Sequence, residues 1–153
     1  MADPDPVPDP LGFAIDLGSV RQRLLALKYF LSVTDIQAAS AAMTGEIVRT
    51  PCAFVSVASE TAEPNRFIRG AGGHAQRVTV QLSVLFAEQL ARKDAKGVDQ
   101  VERTRKAVIR QLVAWTPDGA EQPLDYDRYV LRATSDVDVF GECLFRTTYR
   151  LNF

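Results

Sequence analysis

A chain of 153 residues is long enough to bury the core of one domain without disulfide or metal staples, and its 46% hydrophobic and 24% charged residues are ordinary for a globular protein. A formal net charge of -1 removes any bulk attraction to nucleic acid or an anionic membrane, so a charge-driven partner must be met by a local patch. No stretch approaches the roughly 18 apolar residues of a membrane span, and the opening lacks the basic and apolar regions of a secretory signal, so a soluble protein made in a cytoplasm is expected.

Residues 1–12 begin MADPDPVPDP, alternating Asp with Pro or a small residue; short of amide donors and apolar mass, they read as an extended or disordered arm. The arm is either a solvated tail or a strap on a neighbouring subunit, and residues 13–153 read as a single domain. From Ile15 the apolar positions Leu17, Val20, Leu24, Leu27 and Leu31 recur at three and four, the mark of an amphipathic helix. In TDIQAASAAM, Thr34 or Asp35 offers an N-cap for a short second helix that Gly45 would end. Pro51 opens PCAFVSVA, read as a strand over residues 52–58.

SETAEPNRFIRGAGGHA is polar and glycine-rich, hence a long surface loop or the tip of a long hairpin. Beyond it Val78, Val80, Leu82, Val84 and Phe86 alternate with Arg77, Thr79, Gln81 and Ser83, which predicts a strand with one buried and one polar face. The loop ARKDAKG leads to a third helix, with Val98, Val101, Val108, Leu112 and Trp115 on one side and Glu102, Arg103, Lys106 and Arg110 on the other. TPDG at residues 116–119 is a turn, since Pro sets φ and Gly tolerates positive φ. DRYVLRATSDVDV predicts one further strand; from Cys143, residues Phe145, Tyr149, Leu151 and Phe153 share a face opposite Leu144, Arg146, Thr148 and Arg150. The economical architecture is α+β, an antiparallel sheet with helices packed on one face.

The spacing Gly70-x-Gly72-x-x-Ala75 invites a phosphate-cradle reading, but such a cradle must open a helix, whose free amides meet the phosphate. Here the motif opens a strand, whose amides belong to a sheet ladder. His74 has no orienting carboxylate or nucleophile in its sequence context and reads as a solvent-facing loop histidine. Cys52 and Cys143, far apart and outside any metal-ligand spacing, read as buried reduced thiols. The Asp-rich DYD and SDVDV lack the Gly and terminal Glu of a calcium loop. No catalytic, cofactor or metal residue is therefore assigned. The candidate interface residues are Arg66 and Arg69 in one long loop, Arg92, Lys93 and Lys96 in the other, and Arg146 and Arg150 on the terminal strand.

The helix running into LVAWTPDGAEQPLDYD carries the most specific stretch of the chain, Trp115 followed by Thr116, Pro117, Asp118 and Gly119, with Pro123 and Leu124 after it. Together with the first helix, TPCAFVSVA, the long alternating strand and the ending FGECLFRTTYRLNF, it resembles the tail terminator proteins of tailed bacteriophages. The likeness is to the Gp37-like group of contractile-tailed, Mu-like phages and prophages in particular, and covers nearly the whole chain from about residue 15. It implies a non-enzymatic virion structural protein without cofactor: a homo-oligomer, expected as a hexameric ring, that caps the tail tube and stops its polymerisation. The tube protein, a head–tail connector or neck protein and the contractile sheath are the implied partners, and the genome would pass through the ring without sequence-specific contact. The competing readings are a head-closure or other neck protein, and a small α+β bacterial enzyme or ligand-binding module using the glycine loop and His74.

Overall fold

The computed structural model describes residues 14–35, 49–66, 73–89, 96–134 and 138–152. In chain order they form α1 (Leu17–Leu25), β1 (Ser32–Thr34), β2 (Cys52–Ala62), β3 (Ala75–Gln89), α2 (Lys96–Leu112), β4 (Asp125–Thr134) and β5 (Asp138–Asn152). The strands build one sheet in the order β1-β2-β3-β5-β4. β1 is parallel to β2 and every other pairing is antiparallel, so the expected α+β class is what folds.

α1 starts where Asp16 takes the N-cap, its carboxylate accepting from the Gly18 amide at 2.8 Å. It is shorter than the apolar spacing predicts. The helix ends at Leu25, Lys28 adopts a φ of 53°, and the chain turns so that Phe30 and Val33 enter the core. Val33 and Thr34 pair with Ala53 and Phe54, and this pairing overrides the helical period that Leu27 and Leu31 continue. Thr34 is thus a strand residue and no helix cap; after Asp35, residues 36–48, which hold the rest of the expected second helix, lie outside the described residues, as do the N-terminal arm and the center of the glycine loop.

β2 runs four residues past its expected end, through the polar Ser59–Ala62, because its partners on β3 continue to Val78. The hairpin alternative for this region is therefore the one realised. A bulge at Ala58 brings Glu60 and Ala62, with Val57, Val55 and Ala53, onto one face. The stretch DRYVLRATSDVDV, expected as one strand, divides into β4 and the start of β5, which pair with each other from Thr134↔Val139 onward. Beyond the division Val139 enters the main core and Phe140 the cluster on the opposite face.

The core lies between one face of the sheet and the two helices. Val20 and Leu24 from α1 and Val101, Val108 and Leu112 from α2 pack on Ala53, Val55, Leu82, Val84, Phe86, Cys143 and Phe145. Phe86 and Phe145 are fully buried; each such side chain contributes about 1.5–3 kcal/mol through its removal from water. On the opposite face Cys52, Phe54, Leu85, Ala87 and Phe140 make a second buried cluster. β5 passes the first core at Gly141, where an added Cβ would meet the Tyr129 hydroxyl at 2.6 Å and Phe86 Cζ at 2.8 Å, so this glycine lets the two stacked rings approach the strand.

α2 stops three residues before Trp115. Val113 bridges to Leu124, Ala114 takes a φ of 64°, and the amides of Ala114 and Leu124 donate to Leu124 and Trp115 carbonyls. Trp115 is part-buried against the core with Arg23 over its ring at 5.4 Å. The TPDG turn then folds onto the start of α1: the Asp16 amide donates to the Asp118 carbonyl at 2.8 Å, and Ser19 Oγ accepts from the Asp118 amide at 3.1 Å. Gly119, at a φ of 84°, lies so close to Ala14 that only glycine fits.

Candidate interaction surface

Polar residues on the face of the sheet away from the helices are largely matched within the chain. Arg77 and Arg150 both reach Glu121, at 3.4 and 2.5 Å. Arg146 pairs with Asp127 at 3.2 Å, and Gln81 donates to the same carboxylate at 2.9 Å. Arg132 and Ser83 converge on Glu142 at 2.6 and 3.0 Å. Two expected interface residues, Arg146 and Arg150, therefore belong to a ladder of intrachain ion pairs, and a third, Arg66, pairs with Glu63 at 3.1 Å. Lys96 is the first residue of α2 and not a loop residue; Arg69, Arg92 and Lys93 lie outside the described residues.

The outer face of α2 is different. Arg103, Lys106 and Arg110 are exposed, follow one another at i, i+3 and i+7, and make no ion pair among the described residues. They form a basic stripe about 10 Å long at the helical rise per residue. Glu102 on the same helix is taken by Arg105 at 2.8 Å, which holds its carboxyl below the ordinary value. The sequence places these three cations on the polar side of a helix. What distinguishes them from the arginines of the sheet is that none closes an ion pair among the described residues: the Glu102 carboxylate, one turn before Lys106 and felt by it, is bonded to Arg105 instead.

Beside the stripe lies a hollow of ≈ 220 Å³ lined by Leu27, Tyr29, Gln100, Arg103, Thr104 and Ala107. Beneath it Glu88, only 4% exposed, accepts from the Tyr29 hydroxyl at 2.5 Å and from the Thr104 hydroxyl, while Gln100 Nε2 donates to Tyr29 Oη at 2.7 Å. Burial, and then the Glu88 carboxylate, push the Tyr29 hydroxyl above its ordinary pKa. The network ties the link after α1, the middle of α2 and the end of β3 together with its hydroxyl and amide groups satisfied. Glu88 continues the even-numbered inward face of β3, which is the one sequence signal that could have found it.

The His74 ring is part-buried, not solvent-facing: Nε2 lies 2.5 Å from Gln76 Oε1, and Gln76 in turn donates to the Glu63 carbonyl at 2.8 Å. It buttresses the turn end of the β2–β3 hairpin. Both cysteines are free and fully buried; burial pushes the Cys52 thiol up to about 11 and the Cys143 thiol up to about 12. Among the described residues no cluster of three His, Cys, Asp or Glu side chains is arranged to hold a metal, and no helix is long and apolar enough to cross a membrane.

The described residues thus form a small α+β subunit, a five-stranded sheet with two helices on one face and ion pairs on the other. The model of the phage tail terminator protein family matches residues 13–152, and the chain belongs to that family. It is accordingly a structural component of a phage tail. No curated protein matches the chain.

Proposed function

We propose that the protein caps the tail tube: copies close into a ring, expected to contain six, on the last ring of the tube and stop its polymerisation. The observation that carries this reading is the family match along residues 13–152, which spans every described element. Capping requires no bond to be made or broken. A subunit whose one face complements the growing end, and whose other face differs from that end, leaves the next tube subunit nowhere to bind.

On this reading the head-side face receives the connector or neck protein and, in a contractile tail such as that of the Mu-like group, the rim meets the sheath. The genome passes through the ring without sequence-specific contact. The loop cations Arg66, Arg69, Arg92 and Lys93, Lys96 at the start of α2, and the α2 stripe are the basic features available for acidic faces of those neighbours. Assembly takes place in the host cytoplasm.

The test is electron microscopy of a lysate from the parent phage with the gene deleted. Overlong headless tails of variable length are the expected result. Tails of normal length beside leaking heads would move the protein to head closure, and unchanged particles would overturn a role in the tail end.

A further inference from the structure

We infer that neighbouring copies join edge to edge, with β4 of one chain lying antiparallel beside the outer part of β2 of the next, so that one sheet continues from subunit to subunit. This rests on the ring reading above.

Among the described residues the sheet ends in two edges that fit each other. β1 pairs only with Cys52–Phe54, which leaves the edge of β2 from Val55 to Ala62 without a strand among the described residues, and Ala58–Ala62 are exposed. On the far side β4 is the last strand for its whole length. β1 thus fills one half of the outermost position on its side of the sheet and leaves a notch below it. The notch is eight residues, or about 26 Å at the rise of a strand, against which the ten residues of β4 can lie.

Polarity agrees. β2 and β5 both run antiparallel to β3, and β4 runs antiparallel to β5, so β4 is antiparallel to β2 of its own chain. A copy carried sideways by rotation about a ring axis that runs roughly along the strands keeps their directions, and therefore offers β2 antiparallel to the β4 it meets. Such a contact is heterologous and closes when the rotation does.

Stagger agrees as well. Through the β3 register, β4 spans the levels from Gln81 to Glu88 and the notch those from Val84 to Val78, so their centers differ by about 12 Å at 3.4 Å per residue. Across four strands, about 19 Å, that offset tilts the strands by about 30°, close to the tilt that closed sheets adopt. Side chains add to the match: on the helix face Leu131, 56% exposed, and Tyr126, 37% exposed, would meet the side that carries Glu60, and on the other face the exposed Arg128 would come near Glu63, where it would compete with Arg66. The bulges at Asp127 and Arg132 limit regular pairing to the segment between them, which fixes its register.

Centering the segments places Val130 opposite Ser59, on the face away from the helices in both chains. The experiment is oxidative cross-linking of tails purified from phage carrying the double variant Ser59→Cys with Val130→Cys, read as a ladder on a denaturing gel. Both native cysteines are fully buried and do not compete. A ladder of covalent multiples of the chain, absent from either single variant, is expected. Tails of normal length that contain the protein but give no ladder would overturn the edge contact while leaving the capping role intact. Arg128→Glu should shorten the ladder, and an Arg128→Glu protein that melts normally yet cross-links as fully as its parent would also count against the contact. Failure of the capping role shows separately, as normal tails in the gene deletion.

Discussion

Replacing Gly119 by Ala tests whether the TPDG turn is the clamp that seats α1. The new Cβ would stand 2.0 Å from the Ala14 carbonyl oxygen and 3.0 Å from its carbon, and these are backbone atoms that cannot rotate away. A left-handed φ of 84° adds about 1–2 kcal/mol for a residue with a side chain. Relief of the clash requires the Ala14–Asp16 segment to withdraw, which strains the bonds of Asp118 to the Asp16 amide and to Ser19 Oγ, each contributing about 0.5–1.5 kcal/mol. The sum is a loss of about 2–5 kcal/mol, or a fall in Tm of about 4–20 °C for a chain of this size. Urea unfolding followed by far-UV circular dichroism measures it. Gly119→Asn separates the two causes, because Asn tolerates positive φ but carries the same Cβ; it should recover no more than the backbone part. A Gly119→Ala protein within about 1 kcal/mol of the parent would show that the turn does not clamp α1 and would refute the argument.

Gly141→Ala should cost about 1–3 kcal/mol, since its Cβ would overlap Phe86 and Tyr129; the loss should shrink in a Tyr129→Ala background, where two of the three contacts are gone, and additive losses would sink that account. The thiols predict a pH effect. Their folded pKa values of about 11 and 12 lie above the ordinary 9, so the stability they confer is full below pH 9 and declines as pH rises through the folded values. The urea midpoint should accordingly fall above pH 9, less steeply in a Cys52→Ala, Cys143→Ala chain; the raised hydroxyls of Tyr29, Tyr129 and Tyr149 supply the same sign above pH 10. Equal slopes with and without the thiols would remove them from the account. Arg146→Ala and Arg150→Ala should each change stability by less than about 1 kcal/mol, because both side chains are half exposed, at 58% and 47%, and their ion pairs are screened. A larger loss in either melt would mean that the ladder supports the sheet.

Where the pattern of residues is local, the chain declares its structure. The strict alternation from Val78 to Phe86, the apolar stripe of Val101, Val108 and Leu112, and the turn at Pro117–Gly119 each encode an element whose period or φ requirement is complete within a few residues, and each forms as expected. Family membership was legible for the same reason, in the stretch from Trp115 to Leu124 and the terminal strand, and it carries the general role in a phage tail. Elements whose ends depend on a distant partner were not legible. β1 forms at Ser32–Thr34 because β2 offers it an edge, and β2 outruns its apolar segment because β3 continues beside it.

The interface residues divide along the same line. Arg146 and Arg150 look like candidates in the sequence because charge on a strand is visible there; Asp127 and Glu121, which neutralise them, arrive from residues 19 and 29 positions earlier only on folding. Arg103, Lys106 and Arg110 look like an ordinary polar helix face, and folding leaves them without an ion pair among the described residues because Arg105 takes Glu102; Glu88 becomes a buried junction only when α2 and Tyr29 close over it. The sequence alone determined the locally periodic elements, the α+β class and the family, since short-range periodicity and turn chemistry suffice for these. Tertiary structure alone decided which charges are paired and which strands end the sheet among the described residues, because pairing depends on distances between residues that no local spacing encodes.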